Sequence, residues 1–500
     1  MTELKLGNIK SIAVVGGGPC GSAAIKSLLK ENAFSRIVGF ERRFETGGLW
    51  NYSDETSNTQ KLPVPSLDPH DPSLLTPFKK PEDGSYIWPS AIYELLDTNV
   101  PYQIMEYSGT KFPESSKIFP TKQEVLDYFK EYSKEVEQYI KFGTIVVDVS
   151  FFPENENEKW RVTYRKVCDE TNGGLEESDL VPDEVEMFDA VLLASGHYDL
   201  PYVPDRPGLK EWSAKYPNSV SHAKSFRHAR QFKDAKGEIL LVGNSASGLD
   251  LAYQLATILK RPVYKSARSK SSLPGGSSDF IKTVPDIESL DPETKQVKFV
   301  DGTTLDNVEK IIFATGYLRH YPYLKSLNSS DKPLVTNGER IRNLYKQLLS
   351  YNYPGLAFIC VPRYILPTRV SETQTSWLAK VFTHKIKLPS VEQMEEEENK
   401  LLEERGDCPK FHNMMYPEDV LYSRSLNEEI KTVPGWEKTM VPCEWTYEDI
   451  QLRASANPLK EAYLKYKELN DGKCVTSVDE LENSLGFQYA EVDKSLFGLD

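Results

Sequence analysis

The sequence predicts an α/β fold of two three-layer domains, the second inserted into the first. Three observations carry this expectation. Residues 12–15 form an apolar, β-branched run that enters a glycine turn and then a helix-compatible stretch; such a run suits a strand buried on both faces of a parallel sheet. The same order of strand, glycine turn, helix and strand returns over residues 238–266, an internal repeat. After Tyr317 the chain is long and holds no third glycine turn, so that segment is assigned back to the first domain.

The first turn reads Gly16-Gly17-Gly18-Pro19-Cys20-Gly21 and fits G-x-G-x-x-G. Gly16 allows a tight turn, Gly18 lets the backbone approach a pyrophosphate, and Gly21 lets the helix of residues 22–29 pack closely on the strand. Gly17, Pro19 and Cys20 complete a loop whose helix start offers free N–H groups to phosphates. A second strand, residues 36–40, ends on Glu41, 20 residues after Gly21, where a carboxylate can accept hydrogen bonds from a ribose diol. A lone G-x-G-x-x-G is weak; with strand, helix and acid in place it is specific. A carboxylate at that point repels a 2′-phosphate, so the turn should take FAD or NAD rather than NADP. Gly47-Gly48-Leu49-Trp50 adds a second close backbone approach and argues for FAD. Arg42, Gly48, Leu49 and Trp50 join the expected FAD contacts.

Residues 53–90 are rich in Pro, Ser, Asp and Thr and read as a long loop over the first domain, tied down by Tyr86, Ile87 and Trp88. A helix is expected over 122–139, with Val125, Phe129, Tyr132 and Val136 on one face and Thr121 as N-cap. Residues 160–167 alternate as a strand, Thr171-Asn172-Gly173-Gly174 breaks it, and 188–193 read as one buried strand ending at Ala194-Ser195-Gly196.

The second unit opens with the strand 238–242 and the turn Gly243-Asn244-Ser245-Ala246-Ser247-Gly248, followed by a helix over 249–259 and a strand over 262–266. No acid ends that strand. Lys265, Ser266 and Arg268 stand there instead, and a cation with hydroxyls suits a 2′-phosphate, so this site should prefer NADPH. Gly243, Ser245, Ser247, Gly248, Leu249, Asp250, Lys265 and Arg268 are its expected contacts. A hairpin at Asp301-Gly302 and a closing strand over 310–313 complete the unit. Both halves therefore read as Rossmann-like dinucleotide-binding domains, over residues 1–205 and 322–500 for FAD and 206–321 for NADPH, with a C-terminal extension. In the last part, 356–361 read as a core strand, 371–384 as a helix and 395–404 as the solvated face of another. Residues 465–500 carry no functional assignment.

Composition narrows the class. Charged residues make up 27% and hydrophobic residues 39% of the 500, and the net charge is −14, which disfavours nucleic acid as a partner. Six scattered cysteines without a C-x-x-C disfavour a zinc site, a disulfide scaffold or a dithiol reductase; no metal is expected. No signal peptide or run of about 18 apolar residues is visible. The expectation is a cytoplasmic protein, with peripheral attachment at the endoplasmic reticulum as the alternative and homo-oligomerisation left open.

A flavin and a nicotinamide on one chain imply hydride transfer from NADPH to FAD, and with no dithiol pair the reduced flavin is left to react with oxygen. From Ser11 to Pro389 the chain resembles the class B flavin-containing monooxygenases of the fungal, thiol-oxidising type. The resemblance rests on VGGGPCGSAA, FERR…GGLWNY, LPVPS, LDTNVP, ASGHYDLPYVP, YPNSVSHAKSF, LVGNSASGLDLA, VPDIESLDPETKQV, FATGY and LAFICVP. The family signature F-x-G-x-x-x-H-x-x-x-(F/Y) is met by His222 and Phe226, whereas Tyr216 and Asn218 depart from its Phe and Gly. His222 is read as coupling the domains. The resemblance implies that Asn99, in Thr98-Asn99-Val100-Pro101, is the catalytic residue beside flavin and nicotinamide, with Val100 near FAD and Thr98 near NADP. It also implies the reaction order: NADPH reduces FAD, NADP⁺ stays, oxygen adds to flavin C4a as a hydroperoxide, and a thiol, sulfide or amine takes the distal oxygen. Water must be excluded, or hydrogen peroxide is released. The alternatives are a Baeyer–Villiger or N-hydroxylating monooxygenase, and an uncoupled NADPH oxidase or redox sensor.

Overall fold

The computed structural model describes residues 2–54, 63–71, 78–79, 86–154, 159–167 and 183–499. The break expected at residues 171–174 lies outside them, as does much of the loop over 53–90.

A seven-stranded sheet holds β1 (Ser11–Val15) in its interior, with β2 (Arg36–Phe40) on one side and the central strand Ala190–Leu193 on the other, all parallel. The strand Leu356–Phe358 extends it in parallel beyond Ala190–Leu193. β1 alternates between two cores. Ile12 and Val14 face one cluster with Ile25 and Leu28 of the helix α1 (Pro19–Glu31), and Ala13 and Val15 face another with Val146, Trp160 and Val162. Helices therefore cover one face and the antiparallel strands Thr144–Phe151, Trp160–Lys166 and Glu184–Phe188 the other. A separate five-stranded, all-parallel sheet is formed within residues 220–313, in the order Val220–His222, Val308–Phe313, Glu238–Val242, Val263–Ser266, Ile281–Val284. It too carries a three-stranded antiparallel excursion, over 287–305.

Several sequence expectations are corrected. Residues 188–193 are two strands in two sheets, not one. Asp189 separates them: its carboxylate accepts from the Lys10 and Ser11 N–H groups, both at 2.8 Å, and this anchor redirects the chain. The helix expected over 122–139 ends earlier, as α2 (Lys122–Ser133), where Ser133 turns its hydroxyl back to the Phe129 carbonyl. Its start is as expected, with Thr121 and Glu124 forming a capping box. The helix Ala246–Leu259 begins one turn earlier than read, and Pro367–Phe382 starts at a first-turn proline instead of at Ser371. The run over 395–404 is not wholly solvated. Glu398 is buried and takes the Arg340 guanidinium at 2.9 Å and the Tyr351 hydroxyl at 2.6 Å.

Residues 447–497 are not a loose tail. The helices Tyr447–Ala454, Ala456–Leu469 and Val478–Leu485 bury Ile450, Leu459, Tyr463 and Leu481 against Ile104, Ile118 and Phe119. Among the described residues no helix is long and apolar enough to cross a membrane, and no group of three His, Cys, Asp or Glu side chains could hold a metal.

Candidate dinucleotide sites and the asparagine loop

The two glycine turns are built by the same contacts. Gly16 has φ +107°, and a Cβ there would lie 2.6 Å from the Ala194 carbonyl oxygen; Gly243 has φ +129°, with the Ala314 oxygen at 2.4 Å. A Cβ on Gly21 would lie 1.7 Å from the Gly16 oxygen, and one on Gly248 would lie 2.4 Å from the Gly243 oxygen. Helix and strand touch backbone to backbone in both turns, so no side chain fits. Ala194 donates to the Val15 carbonyl and Ala314 to the Val242 carbonyl, each at 2.8 Å. Neither helix start is capped by a side chain: Gly18 has none, and the Ser245 hydroxyl makes no cap bond. Both starts keep free N–H groups, as an anion site requires.

In the first turn Gly18 faces Gly48, and a Cβ on Gly18 would lie 3.3 Å from the Gly48 Cα. Pro19 gives its carbonyl to the Tyr107 hydroxyl at 2.9 Å, and Cys20 packs inward on the core that holds Cys360. Glu41 is buried; its carboxylate accepts from the Gly17 N–H at 2.7 Å and the Arg43 N–H at 2.8 Å. Each oxygen keeps a second lone pair for a further donor. Leu49 receives the Ser90 hydroxyl, and Trp50 lies edge-on to Phe129. Arg42 is engaged within the protein, at 2.6 Å from Asp199 and over the Trp88 ring. Burial alone would raise the Asp199 pKa, but Arg42 and then Lys224 outweigh it and hold it below the usual range.

At the second turn, Ser245 and Ser247 are exposed, and Leu249 donates its N–H to the Ser245 carbonyl. Asp250 is bound by the Tyr93 hydroxyl and by Gln254 at 3.1 Å, so it holds the helix to the segment before Asn99. The Lys265 side chain is half-buried and makes no hydrogen bond or ion pair with a described residue, and burial lowers its pKa. Arg268 is exposed, and its side chain pairs with no described residue. Ser266 corrects the expectation of a free hydroxyl: it is buried and donates to the Pro285 carbonyl at 2.8 Å.

Asn99 is exposed, and its side chain makes no hydrogen bond to a described residue. Its neighbours are pinned. Thr98 donates its N–H to the Pro120 carbonyl at 3.0 Å and its hydroxyl to the Val100 carbonyl at 2.8 Å, and Val100 packs between two apolar clusters. In the segment of the family signature, Asn218 has φ +70°, a left-handed conformation that asparagine tolerates where the signature has glycine. His222 lies edge-on to Tyr317, and burial lowers its pKa to about 3.

Sequence reasoning missed several polar groups. Asn51 Oδ1, His197 Nε2, Asn244 Oδ1 and Arg319 Nη1 are buried with no hydrogen-bond partner among the described residues. They follow, in turn, the Gly48 turn, Gly196, Gly243 and Gly316. Orphaned buried polar atoms are rare. Gly196 and Gly316, at φ +75° and +89°, have no atom within 4 Å of where a Cβ would stand. Open backbone, free helix starts and unmatched polar atoms close to these glycines fit extended polar cofactors.

A family model for flavin-binding monooxygenase-like proteins matches residues 78–283 and 276–435. The flavin-containing monooxygenase FMO GS-OX-like 1 of Arabidopsis thaliana is 31% identical over 405 residues, covering 79% of this chain and 77% of that protein. The thiol-specific monooxygenase of Saccharomyces cerevisiae is 27% identical over 467 residues, covering 90% and 92%. Among solved structures, S-allyl-L-cysteine S-oxygenase from Allium sativum superposes with a TM-score of 0.68 at 22% identity, covering 95% of this chain and 97% of that one. The mixed α/β architecture is thus one also found in an S-oxygenase, and the family model takes in the second glycine turn and the return to the first sheet. This chain belongs to the flavin-binding monooxygenase-like family and is a flavin-containing monooxygenase.

Proposed function

We propose that the chain binds FAD at the turn of residues 16–21 and NADPH at the turn of residues 243–248, and that it oxygenates soft nucleophiles, sulfur compounds first. In this reading residues 1–205 and 322–500 form the FAD domain and 206–321 the inserted NADPH domain. The observation that carries it is the duplicated turn with opposite charges at its distal end: buried Glu41 in one copy, free Arg268 with Lys265 in the other.

Bound flavin supplies hydride acceptance from the nicotinamide and activation of oxygen. The chain supplies the rest. The N–H groups at the start of α1 hold the pyrophosphate, and Glu41 takes the ribose hydroxyls and repels a 2′-phosphate. Arg268 and Lys265 receive the 2′-phosphate of NADPH. The Asn99 amide, able to donate and accept, orients the flavin edge and the nicotinamide amide. Oxygenation of a thiol, sulfide or amine by the loaded enzyme needs no nucleophilic side chain, and the protein's further duty is to keep water out. The names of the S. cerevisiae and A. sativum relatives support sulfur as the acceptor. The free thiols of Cys20, Cys360, Cys408, Cys443 and Cys474 accord with a reducing, cytoplasmic setting.

The test is to follow NADPH, oxygen, oxygenated product and hydrogen peroxide together. A dialkyl sulfide or a thiol should raise NADPH consumption and yield product in near-equal amount with little peroxide. Preferential conversion of a cyclic ketone to its lactone, or peroxide equal to NADPH whatever is added, overturns the reading. Arg268→Ala is expected to raise the KM for NADPH about tenfold to a hundredfold, the worth of one charged hydrogen bond of about 1.5–3 kcal/mol. The KM for NADH should not move. Equal changes for both nucleotides would place the 2′-phosphate elsewhere.

A further inference from the structure

We propose that Lys460, on the C-terminal helix Ala456–Leu469, is the positioning residue of the Asn99 loop. Through it the C-terminal extension sets how well oxygen reduction is coupled to product. The inference rests on Asn99 lying beside the two cofactors.

The contacts are specific. The Lys460 ammonium donates to the Thr98 carbonyl at 2.7 Å, one peptide unit before Asn99. Two further residues of the same helix hold Asp97: the Lys467 ammonium at 2.8 Å and the Tyr463 hydroxyl at 3.2 Å. Residues 460, 463 and 467 recur at helical spacing and share one face. Lys460 is only 6% exposed and lies over the rings of Phe119, at 4.6 Å, and Tyr463, at 5.1 Å. A lysine buried for packing alone would be a poor choice, because desolvating the charge costs more than an apolar chain of that length. What the ammonium adds is a fixed, charge-assisted grip on one carbonyl.

That grip falls at a junction. Asp97 and Asp250 are the carboxylates that attract Lys460, and Asp250 stands in the helix of the second glycine turn. The lysine thus grips the asparagine loop within the field of a carboxylate on the second turn's helix. With Thr98 also bound to Pro120 and Val100, the backbone on both sides of Asn99 is held while its amide stays free.

The groups facing Lys460 also set its pH response. Burial pushes its pKa down to about 8, against the pull of Asp97 and Asp250 and with the push of Lys467; Cys474 faces it as well, and Tyr463 lies under it. Above that pH the ammonium loses its proton, and the grip on Thr98 weakens. An arginine in its place stays charged.

The experiment uses the flavin-loaded full chain with a dialkyl sulfide as acceptor. Lys460→Met is expected to raise the share of NADPH electrons released as hydrogen peroxide about tenfold, the scale of a sub-ångström misplacement. Hydrogen exchange of the peptide spanning residues 95–101 should quicken by about the same factor. Flavin content and the KM for NADPH should hold. The wild type is expected to release more peroxide above pH 8, and Lys460→Arg should stay coupled and remove that rise. If Lys460→Met fails to fold, Asp97→Ala, which leaves Lys467 and Tyr463 without that acceptor, carries the same expectation. An unchanged peroxide share with unchanged exchange overturns the proposal, as does a general loss of stability with coupling intact. Asn99→Ala separates the two levels. Normal coupling in that variant defeats the reading of Asn99 itself, whereas uncoupling there but not in Lys460→Met defeats only the role of the lysine.

Discussion

Replacing Asn99 with alanine is expected to leave FAD bound and the melting temperature unchanged, while product formed per NADPH consumed falls about a hundredfold. Hydrogen peroxide should replace the missing product. The structure makes this a clean substitution. The Asn99 side chain is exposed and bonds to nothing in the described chain, so the fold does not depend on it. The loop around it is held by others: Thr98 through its N–H and hydroxyl, and Lys460 on the Thr98 carbonyl. A pinned loop that presents one unbonded amide is poorly explained as a stability device. It is well explained as a bidentate contact for a cofactor edge, since an amide offers both a donor and an acceptor. Asn99→Asp separates the two: it keeps the size and the acceptor, loses the donor and adds a charge. If the donor matters, the aspartate variant should uncouple as badly as the alanine variant. Coupled turnover by Asn99→Ala at the wild-type rate would remove Asn99 from the mechanism. The readouts are flavin per protein, melting temperature and the ratio of peroxide to product.

The parts of the fold that the sequence revealed are those fixed by local backbone contacts. Gly16, Gly21, Gly243 and Gly248 stand where a Cβ would strike a carbonyl of the neighbouring strand or of the turn itself, so glycine there is dictated within a few residues. The acid at 41 and the cation at 268 follow at fixed distance from those turns. Helix starts marked by capping residues, as at Thr121, were also legible. What was not legible depended on distant partners. Asp189 lies inside a run that reads as one strand, and only its bonds to Lys10 and Ser11 explain why the chain changes sheets there. Glu398 lay in an acidic run that suggests solvent, yet Arg340, 58 residues away, draws it inside. Ser266 gave no sign that its hydroxyl turns inward. Lys460 and Thr98 are 362 residues apart, and no spacing rule links them. His197 and Arg319 sit just past the small-residue–glycine ends of two strands, a position that could have flagged them. Asn99 came from likeness to a family motif, because Asn before Val-Pro is by itself an ordinary turn.

Gly18→Val should yield a folded protein without flavin. Gly18 is not required by its backbone angles: φ is −73° and ψ −173°, a conformation open to any residue. It is required by what it faces. A Cβ there would stand 3.3 Å from the Gly48 Cα and 3.7 Å from the Gly48 N–H nitrogen, so two glycine backbones meet at the mouth of the turn. An alanine Cβ needs a few tenths of an ångström of give from that neighbour. The two γ-methyls of valine extend further, toward Gly48 or into the space in front of the α1 N–H groups. Overpacking of this kind costs about 1–3 kcal/mol, and one lost charged hydrogen bond to a phosphate adds about 1.5–3 kcal/mol. Together these weaken FAD binding about a hundredfold to ten-thousandfold. Gly21→Ala would be a poorer test, because its Cβ would stand 1.7 Å from the Gly16 oxygen and the sheet itself would have to move. Gly18→Ala gives the graded control, with flavin content between wild type and Gly18→Val. The measurement is flavin absorbance per protein after gel filtration, read beside far-ultraviolet circular dichroism to show that the fold is kept. A fully flavinated Gly18→Val protein would mean that the pyrophosphate does not cross this turn, and the assignment of FAD to the first glycine motif would fall with it.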